Sequence, residues 1–348
     1  MKKELKSHRN KLSLTTKTVA QQLGVDQSLI SKFENGTRIP TEKQIVKLSI
    51  ILNIPQNTLM TLWLKTKILT NIKNYPVAKQ ALQMAQEELK NYNIKTPQQF
   101  SEKIQNKLII IDNLKEKLQE LRNFDSYRIA EALELEYTFE SNRIEGNTLT
   151  LRETDFVINE GLTVSGKSMR EHLEAINHSD AIHYIKELQE KKTILSQREV
   201  LLIHNLVLRG IDQKHAGVYR TVDVMIKGSK HKPPQPYLIP KQMEEYFEWY
   251  LENKNSLHPV LLAAEMHEQL VTIHPFIDGN GRTSRLIMNL ILLANGFVIA
   301  NIKGDFESRM RYYEALEETQ TTGNKEPFYH FILDVEIECL ERYLSILS

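Results

Sequence analysis

Apolar and polar positions alternate with a helical period over most of the chain. Leu261, Leu262, Ala264, Met266, Leu270 and Ile273 form one apolar run before residue 274. Leu286, Ile287, Leu290, Ile291 and Leu293 form another after residue 285, closed by the stop signal Asn295-Gly296. Residues 59–72 and 77–89 have helical spacing, interrupted by Asn74-Tyr75-Pro76. Residues 104–121 set Leu108, Ile111, Leu114, Leu118 and Leu121 over a Lys/Glu face. Near the start, Thr15 is placed to cap a helix carrying Val19, Ala20 and Leu23, and Gly24 to make a turn. Asp26 is placed to cap a second helix, which buries Leu29, Ile30 and Phe33 and stops at Asn35-Gly36. The one convincing extended region is residues 218–226, which alternate in strand fashion. Gly228-Ser229 then turns, and Pro233-Pro234 forbids a helix. The pattern predicts a mainly α protein with one small β-hairpin.

Composition changes this picture little. A chain of 348 residues has room for two or three domains, and 26% charged with 41% hydrophobic residues is ordinary for a globular protein. The single cysteine, Cys339, excludes an internal disulfide and fits a reducing compartment. The longest apolar region, residues 286–300, is too short for a bilayer and contains Asn289, Asn295 and Gly296. A polar stretch follows Met1-Lys2-Lys3, so no signal peptide is read there, and a cytoplasmic protein without a membrane partner is expected. Charge is more informative. Residues 1–56 carry ten Lys/Arg against four Asp/Glu, a net of +6; with +1 overall, the remaining residues carry about −5. A basic end on an acidic body suggests that only the N-terminal part meets nucleic acid.

The candidate chemistry is concentrated between the two apolar runs, in residues 274–285. Gly279 and Gly281 open the second helix, where backbone N–H groups and the helix dipole favour an anion. Arg282 and Arg285, three apart, share a face of its first turn. Asp278 is a hard oxygen ligand beside these phosphate donors and suits Mg²⁺, and His274 lies across the loop where it can take a proton. Together they form a site for a polyphosphate, a metal and a base. No P-loop pattern occurs.

The string from His274 to Arg285 resembles the Fic family motif, HPFx[DE]GNGRxxR, at every fixed position. The family transfers AMP from ATP to a side-chain hydroxyl of a target protein. The resemblance implies His274 as base, Asp278 as Mg²⁺ ligand, and Gly279, Asn280 and Gly281 as the phosphate cradle. It implies Arg282 beside the leaving β-phosphate and Arg285 on the γ-phosphate. Ser141, Glu145 and Gly146 match the family's inhibitory-helix pattern [ST]xxxE[GN]; there the glutamate pairs with the second motif arginine, here Arg285, in the place of the γ-phosphate. Tyr313 would border the adenine. Gln320 stands where relatives often have an asparagine that reads the base, which leaves base selectivity in question. The segment from Gly217 to Pro240 resembles the family's flap, in which Val224, Met225, Ile226, Lys227 and Gly228 would receive an extended target by strand addition.

The first 56 residues resemble the phage repressor/Cro-type helix-turn-helix, whose second helix enters the major groove. Gln27, Ser28, Ser31, Lys32 and Arg38 are the expected DNA contacts. Thr16 stands where that family usually has a phosphate-contacting glutamine, which would lower affinity. The expected organisation is a helix-turn-helix domain at 1–56, a helical linker at 57–123 and a Fic domain at 124–348. The oligomeric state is left open, a homodimer being the form in which such domains meet paired half-sites. Three other readings use the same residues. Glu145 could orient a water that removes AMP from a modified target. The Fic domain could only sense nucleotide for a DNA-binding regulator. A metal-dependent hydrolase could use His267, His274 and Asp278.

Overall fold

The computed structural model describes residues 1–91, 100–121 and 127–347. They fall into two units, residues 1–99 and 100–348. The first contains α1 (Lys2–Lys11), α2 (Thr16–Leu23), α3 (Gln27–Asn35), α4 (Glu42–Ile51), α5 (Gln56–Ile72) and α6 (Ala78–Asn91). Its turns follow the local chemistry. Thr15 accepts the Thr18 N–H at the head of α2, and Gly24 and Gly36 end α2 and α3 in the left-handed region at φ 72° and 75°. Asp26 occupies the N-cap of α3, but its side chain accepts no capping bond. Leu5, Val19, Ala20, Ile30, Phe33, Ile45 and Leu48 form the core, and Arg9 on α1 pairs with Glu34 on α3 at 2.6 Å.

The expected boundary after residue 56 does not match this core. Leu59 and Trp63 of α5 are buried in it, and the Trp63 indole N–H donates to the Pro40 carbonyl at 2.8 Å. The stretch expected to be a linker over 57–123 is divided between the two units. Ile104, Ile111 and Leu118 of α7 (Glu102–Leu121) lie in the core of the second unit, where α7 packs along α16 (Glu326–Leu347). An apolar stripe shows that a helix packs, not what it packs against. The expected boundary between residues 123 and 124 lies outside the described residues.

The second unit continues with α8 (Tyr127–Ile144), α9 (Leu151–Asn159), α10 (Met169–Glu190), α11 (Gln197–Leu208) and α12 (Ile239–Asn253). It is completed by α13 (Pro259–Ile273), α14 (Asn280–Ala294) and α15 (Phe306–Thr322), with α16 last. α13 and α14 pack on each other at its centre, with α10 and α11 against α14 and α12 and α16 against α13. Both central helices are buried almost all round, so the loop between them is anchored at both ends. No described helix is long and apolar enough to cross a membrane.

The predicted hairpin is absent: no strand occurs among the described residues, residues 223–226 have no regular structure, and residues 227–228 form a turn. A side chain takes the ladder's place. The Arg220 guanidinium donates to the carbonyls of His274 (2.8 Å), Val222 (2.9 Å) and Pro234 (2.7 Å), and its backbone N–H donates to Pro275 (2.8 Å). Arg220 is 3% exposed. This segment is therefore held by one buried cation reaching both of its arms and the loop between α13 and α14.

Candidate functional site

The loop is closed by its own side chains. His274 caps α13 in the left-handed region (φ 50°, ψ 57°), which turns the chain sharply. Asn280 then folds back: its Oδ1 accepts the Phe276 N–H at 3.0 Å and its Nδ2 donates to the Phe276 carbonyl at 2.9 Å. The Asn280 amide, expected in the phosphate cradle, is thus engaged in bracing the loop, leaving its backbone N–H at the head of α14. Gly279, at φ 78°, lies against the His204 ring, where a β-carbon would come within 3.3 Å.

His204, which no local pattern distinguishes from the other histidines, holds this loop from α11. Its ring stacks on Phe276 with centroids 3.6 Å apart and planes 7° from parallel. Nδ1 accepts the Gly217 N–H at 2.9 Å, so Nε2 carries the proton and donates to the Asp278 carbonyl at 2.9 Å. Burial pushes its pKa down to about 4, keeping the ring in that neutral form.

His274 is suited to accept a proton. Burial lowers its pKa to about 4; the Val271 carbonyl and Glu145 oppose this, while Arg220 and His231 reinforce it. Its Nδ1 lies 3.3 Å from the Val271 carbonyl, an acceptor, so Nδ1 bears the hydrogen and Nε2 the lone pair. The ring is neutral at pH 7 with its basic nitrogen defined.

Around the head of α14 three arginines meet three carboxylates. Arg285 is 1% exposed and donates through Nε to Ser141 Oγ (3.0 Å) and through Nη2 to the Ser141 carbonyl (2.9 Å) and Glu145 Oε1 (2.7 Å). Burial, the largest single influence, would lower its pKa, but the charge and hydrogen bond of Glu145 together with Tyr312 and Tyr137 raise it. The structure thus brings Ser141, Glu145 and Arg285 together, with Gly146 ending the helical turn at φ 95°. Arg282 is equally buried, with Nη1 3.2 Å from Glu174 Oε1 and Nη2 3.6 Å from Asp278 Oδ1. Its Nε has no hydrogen-bond partner among the described residues, an unmet donor beside the helix N-terminus.

Glu174, on α10, belongs to no sequence motif and is buried beside Arg282. Its Oε1 also accepts from Arg170 Nε at 3.1 Å, and its Oε2 from Asn147 Nδ2 at 3.0 Å, just past the end of α8. Arg170 in turn donates through Nη2 to Asp278 Oδ2 at 2.6 Å. The other Asp278 oxygen accepts the Gly279 N–H at 2.6 Å. Burial would raise the Asp278 pKa, but Arg282, Gly279 and Arg170 together hold it below the ordinary value, so the carboxylate is charged.

No described group of three or more His, Cys, Asp or Glu is arranged to hold a metal ion. His267 is fully buried, shares a hydrogen bond with the Tyr312 hydroxyl at 2.9 Å and is held by burial to a pKa of about 3. The hydrolase reading therefore lacks its ligand set. One charged carboxylate beside phosphate donors still fits Mg²⁺, which completes its octahedron with phosphate oxygens and water.

Tyr313 is half-exposed on α15, and its hydroxyl donates to the Ile144 carbonyl at 3.2 Å. Gln320 follows it on the same helix and is half-buried. On the flap, Val224 and Ile226 are half-buried, while Met225, Lys227 and Gly228 are exposed; Met225 is 95% exposed. His231 donates to the Thr272 carbonyl at 2.8 Å and Lys230 pairs with Glu317 at 2.9 Å, fixing the far arm.

In the first unit Gln27, Ser28 and Lys32 are exposed on α3, Ser31 is half-buried, and Arg38 is exposed beyond Gly36. Gln27 Nε2 donates to Thr16 Oγ1 at 2.9 Å. The threonine in the usual glutamine position thus orients the first side chain of α3.

Residues 194–292 match the family model described as the Fic/DOC family, and residues 3–64 match a helix-turn-helix domain. The chain is 37% identical over 212 residues to a protein adenylyltransferase Fic of Nematostella vectensis, covering 60% of this chain and 48% of the relative. It is 35% identical over 241 residues to that of Drosophila virilis, covering 68% and 49%. The chain spans about half the length of the curated relatives it matches. Among solved structures, a Fic domain-containing signaling protein from Bacteroides thetaiotaomicron superposes with a TM-score of 0.62 at 25% identity, over 68% of this chain and 96% of that one. Fic-1 from C. elegans superposes at 0.63 over 95% and 97%; at 22% identity this likeness is one of fold.

Proposed function

The chain carries a Fic/DOC family domain behind a helix-turn-helix domain, and from that premise we propose that it is an autoinhibited protein adenylyltransferase, transferring AMP from ATP to a Ser, Thr or Tyr hydroxyl. The observation that carries this reading is a neutral His274, its basic nitrogen free, on a loop ending in a helix N-terminus with two buried arginines. His274 Nε2 takes the proton of the target hydroxyl as that oxygen bonds to the α-phosphorus of ATP. The bond from the α-phosphorus to the bridging oxygen breaks, and pyrophosphate leaves with its new charge beside Arg282 and the N–H groups of Gly279, Asn280 and Gly281. Mg²⁺ on Asp278 would neutralise phosphate charge. Tyr313 and Gln320 border the adenine. Residues 224–228 receive the target as an added strand, a reading supported by their lack of any strand partner among the described residues.

Glu145 keeps the resting enzyme slow. Its carboxylate holds Arg285 at 2.7 Å, where the guanidinium would otherwise bind the γ-phosphate, and a bidentate fork cannot serve both anions in full. The first unit binds DNA through Gln27, Ser28, Ser31, Lys32 and Arg38. The test uses the wild type, Glu145→Gly and Glu145→Gly/His274→Ala with Mg²⁺ and α-labelled ATP, with and without lysate. Protein-bound label should rise with the first change and vanish with the second. Absence of label in all three would overturn the reading.

A further inference from the structure

We propose that Arg170 is a built-in competitor for the metal ion at Asp278, whose guanidinium must leave the carboxylate before Mg²⁺–ATP can settle. The proposal rests on the adenylyltransferase reading above. Three observations carry it. Arg170 Nη2 lies 2.6 Å from Asp278 Oδ2, while Oδ1 is already engaged by the Gly279 N–H at 2.6 Å. The oxygen most available to a cation is thus the one that a cation of the protein holds. The other two carboxylates are also held by arginines, Glu174 by Arg282 and Arg170 and Glu145 by Arg285, and no group of three or more His, Cys, Asp or Glu arranged for a metal occurs among the described residues. Finally, the Arg170 side chain is 57% exposed, whereas that of Arg282 is 2% exposed. Arg282 is fixed, but Arg170 is free to swing outward. It remains tied to Glu174 by Nε at 3.1 Å when Nη2 lets go, so its departure is a rotation about a retained contact.

Two charges of the same sign on one carboxylate oxygen oppose each other, so metal binding must include the work of breaking the Arg170–Asp278 pair. That pair is largely exposed, which limits its strength to that of a surface ion pair. Removing Arg170 should therefore strengthen the metal-dependent part of nucleotide binding roughly two- to fivefold, the range of such pairs. The metal-free part should change little.

The experiment measures binding of a non-hydrolysable ATP analogue to the full chain by calorimetry, in Mn²⁺ and in chelator. It uses Glu145→Gly protein with and without Arg170→Ala, Arg170→Lys or Asp278→Ala. The readout is the ratio of the two affinities, which needs no turnover. We expect the ratio to rise with Arg170→Ala, to stay near the parent value with Arg170→Lys, and to collapse with Asp278→Ala. An unchanged ratio in Arg170→Ala would make the pair an incidental surface contact, and a smaller one would make Arg170 a phosphate ligand; either overturns the proposal. If Asp278→Ala leaves the ratio intact, the assignment of Asp278 as metal ligand fails as well. The two failures are told apart by that variant alone.

Discussion

Gly281 and Glu145 are packed so closely that a β-carbon on the glycine would collide with the glutamate's Oε1. Gly281 lies inside α14 with ordinary helical geometry, so the requirement for glycine there comes from the neighbour and not from the backbone. Gly281→Ala should destabilise the protein by about 1 kcal/mol in the wild type. In Glu145→Gly protein it should be neutral or stabilise by up to about 1 kcal/mol, the ordinary helix preference for alanine. Chemical denaturation of the four proteins of the cycle measures this. Equal effects in both backgrounds would mean that Glu145 moves aside freely.

Acid should weaken the second unit through its buried histidines. Burial holds His267 to about 3, His274 to about 4 and His178 well below the ordinary 6.5. Between pH 6.5 and about 4 the unfolded chain binds protons that the folded chain refuses. Stability present above 6.5 is therefore lost as pH falls through that window. His267 and His274 should each cost on the order of 2 kcal/mol at pH 5, and His178 acts in the same direction. His267 and His274 alone should lower the melting temperature by roughly 8–16 °C between pH 7 and pH 5, read by calorimetry. A flat profile would indicate that these rings are hydrated.

Arg220→Met should loosen the flap. Three carbonyls lose their donor, at a cost of about 3 kcal/mol. Amide hydrogen exchange should accelerate across residues 221–235 while the centre of α14 stays protected. Uniform acceleration over both would instead mark a global loss of stability.

His204→Phe keeps an aromatic ring to stack on Phe276 but removes both hydrogen bonds, stranding the Gly217 N–H and the Asp278 carbonyl. A loss of about 2 kcal/mol is expected. AMP transfer by Glu145→Gly protein should fall about tenfold as the loop shifts. Transfer at the parental rate would show that stacking alone sets the loop.

The sequence carried the loop between α13 and α14 well because short-range chemistry fixes each of its positions. Gly279 and His274 take left-handed backbone within that loop, and Asn280 closes on a residue four positions earlier. It carried the flap poorly. Alternation over 218–226 is silent on whether a partner strand exists, and it misjudged the interior as well, since Val218 and Val222 are exposed and Arg220 is buried. The supports were illegible for another reason. His204 reaches Asp278 across 74 positions, Arg220 reaches His274 across 54, and Arg170 reaches Asp278 across 108. Nothing local distinguishes these from other histidines and arginines. The Thr16–Gln27 contact joins two residues that the sequence treated separately, one as a departure and one as a reader.

Arg170, Arg282 and Arg285 face Asp278, Glu145 and Glu174 around the head of α14, so the formal charges of the six groups sum to zero. A site at rest in this balance has little net attraction for a free tetra-anion. An ATP entering alone would leave four negative charges uncompensated, whereas expelling Glu145 and admitting a divalent cation together offset three of them. Derepression and metal loading would then reinforce each other at a distance through charge alone, without any rearrangement of the helices that carry them.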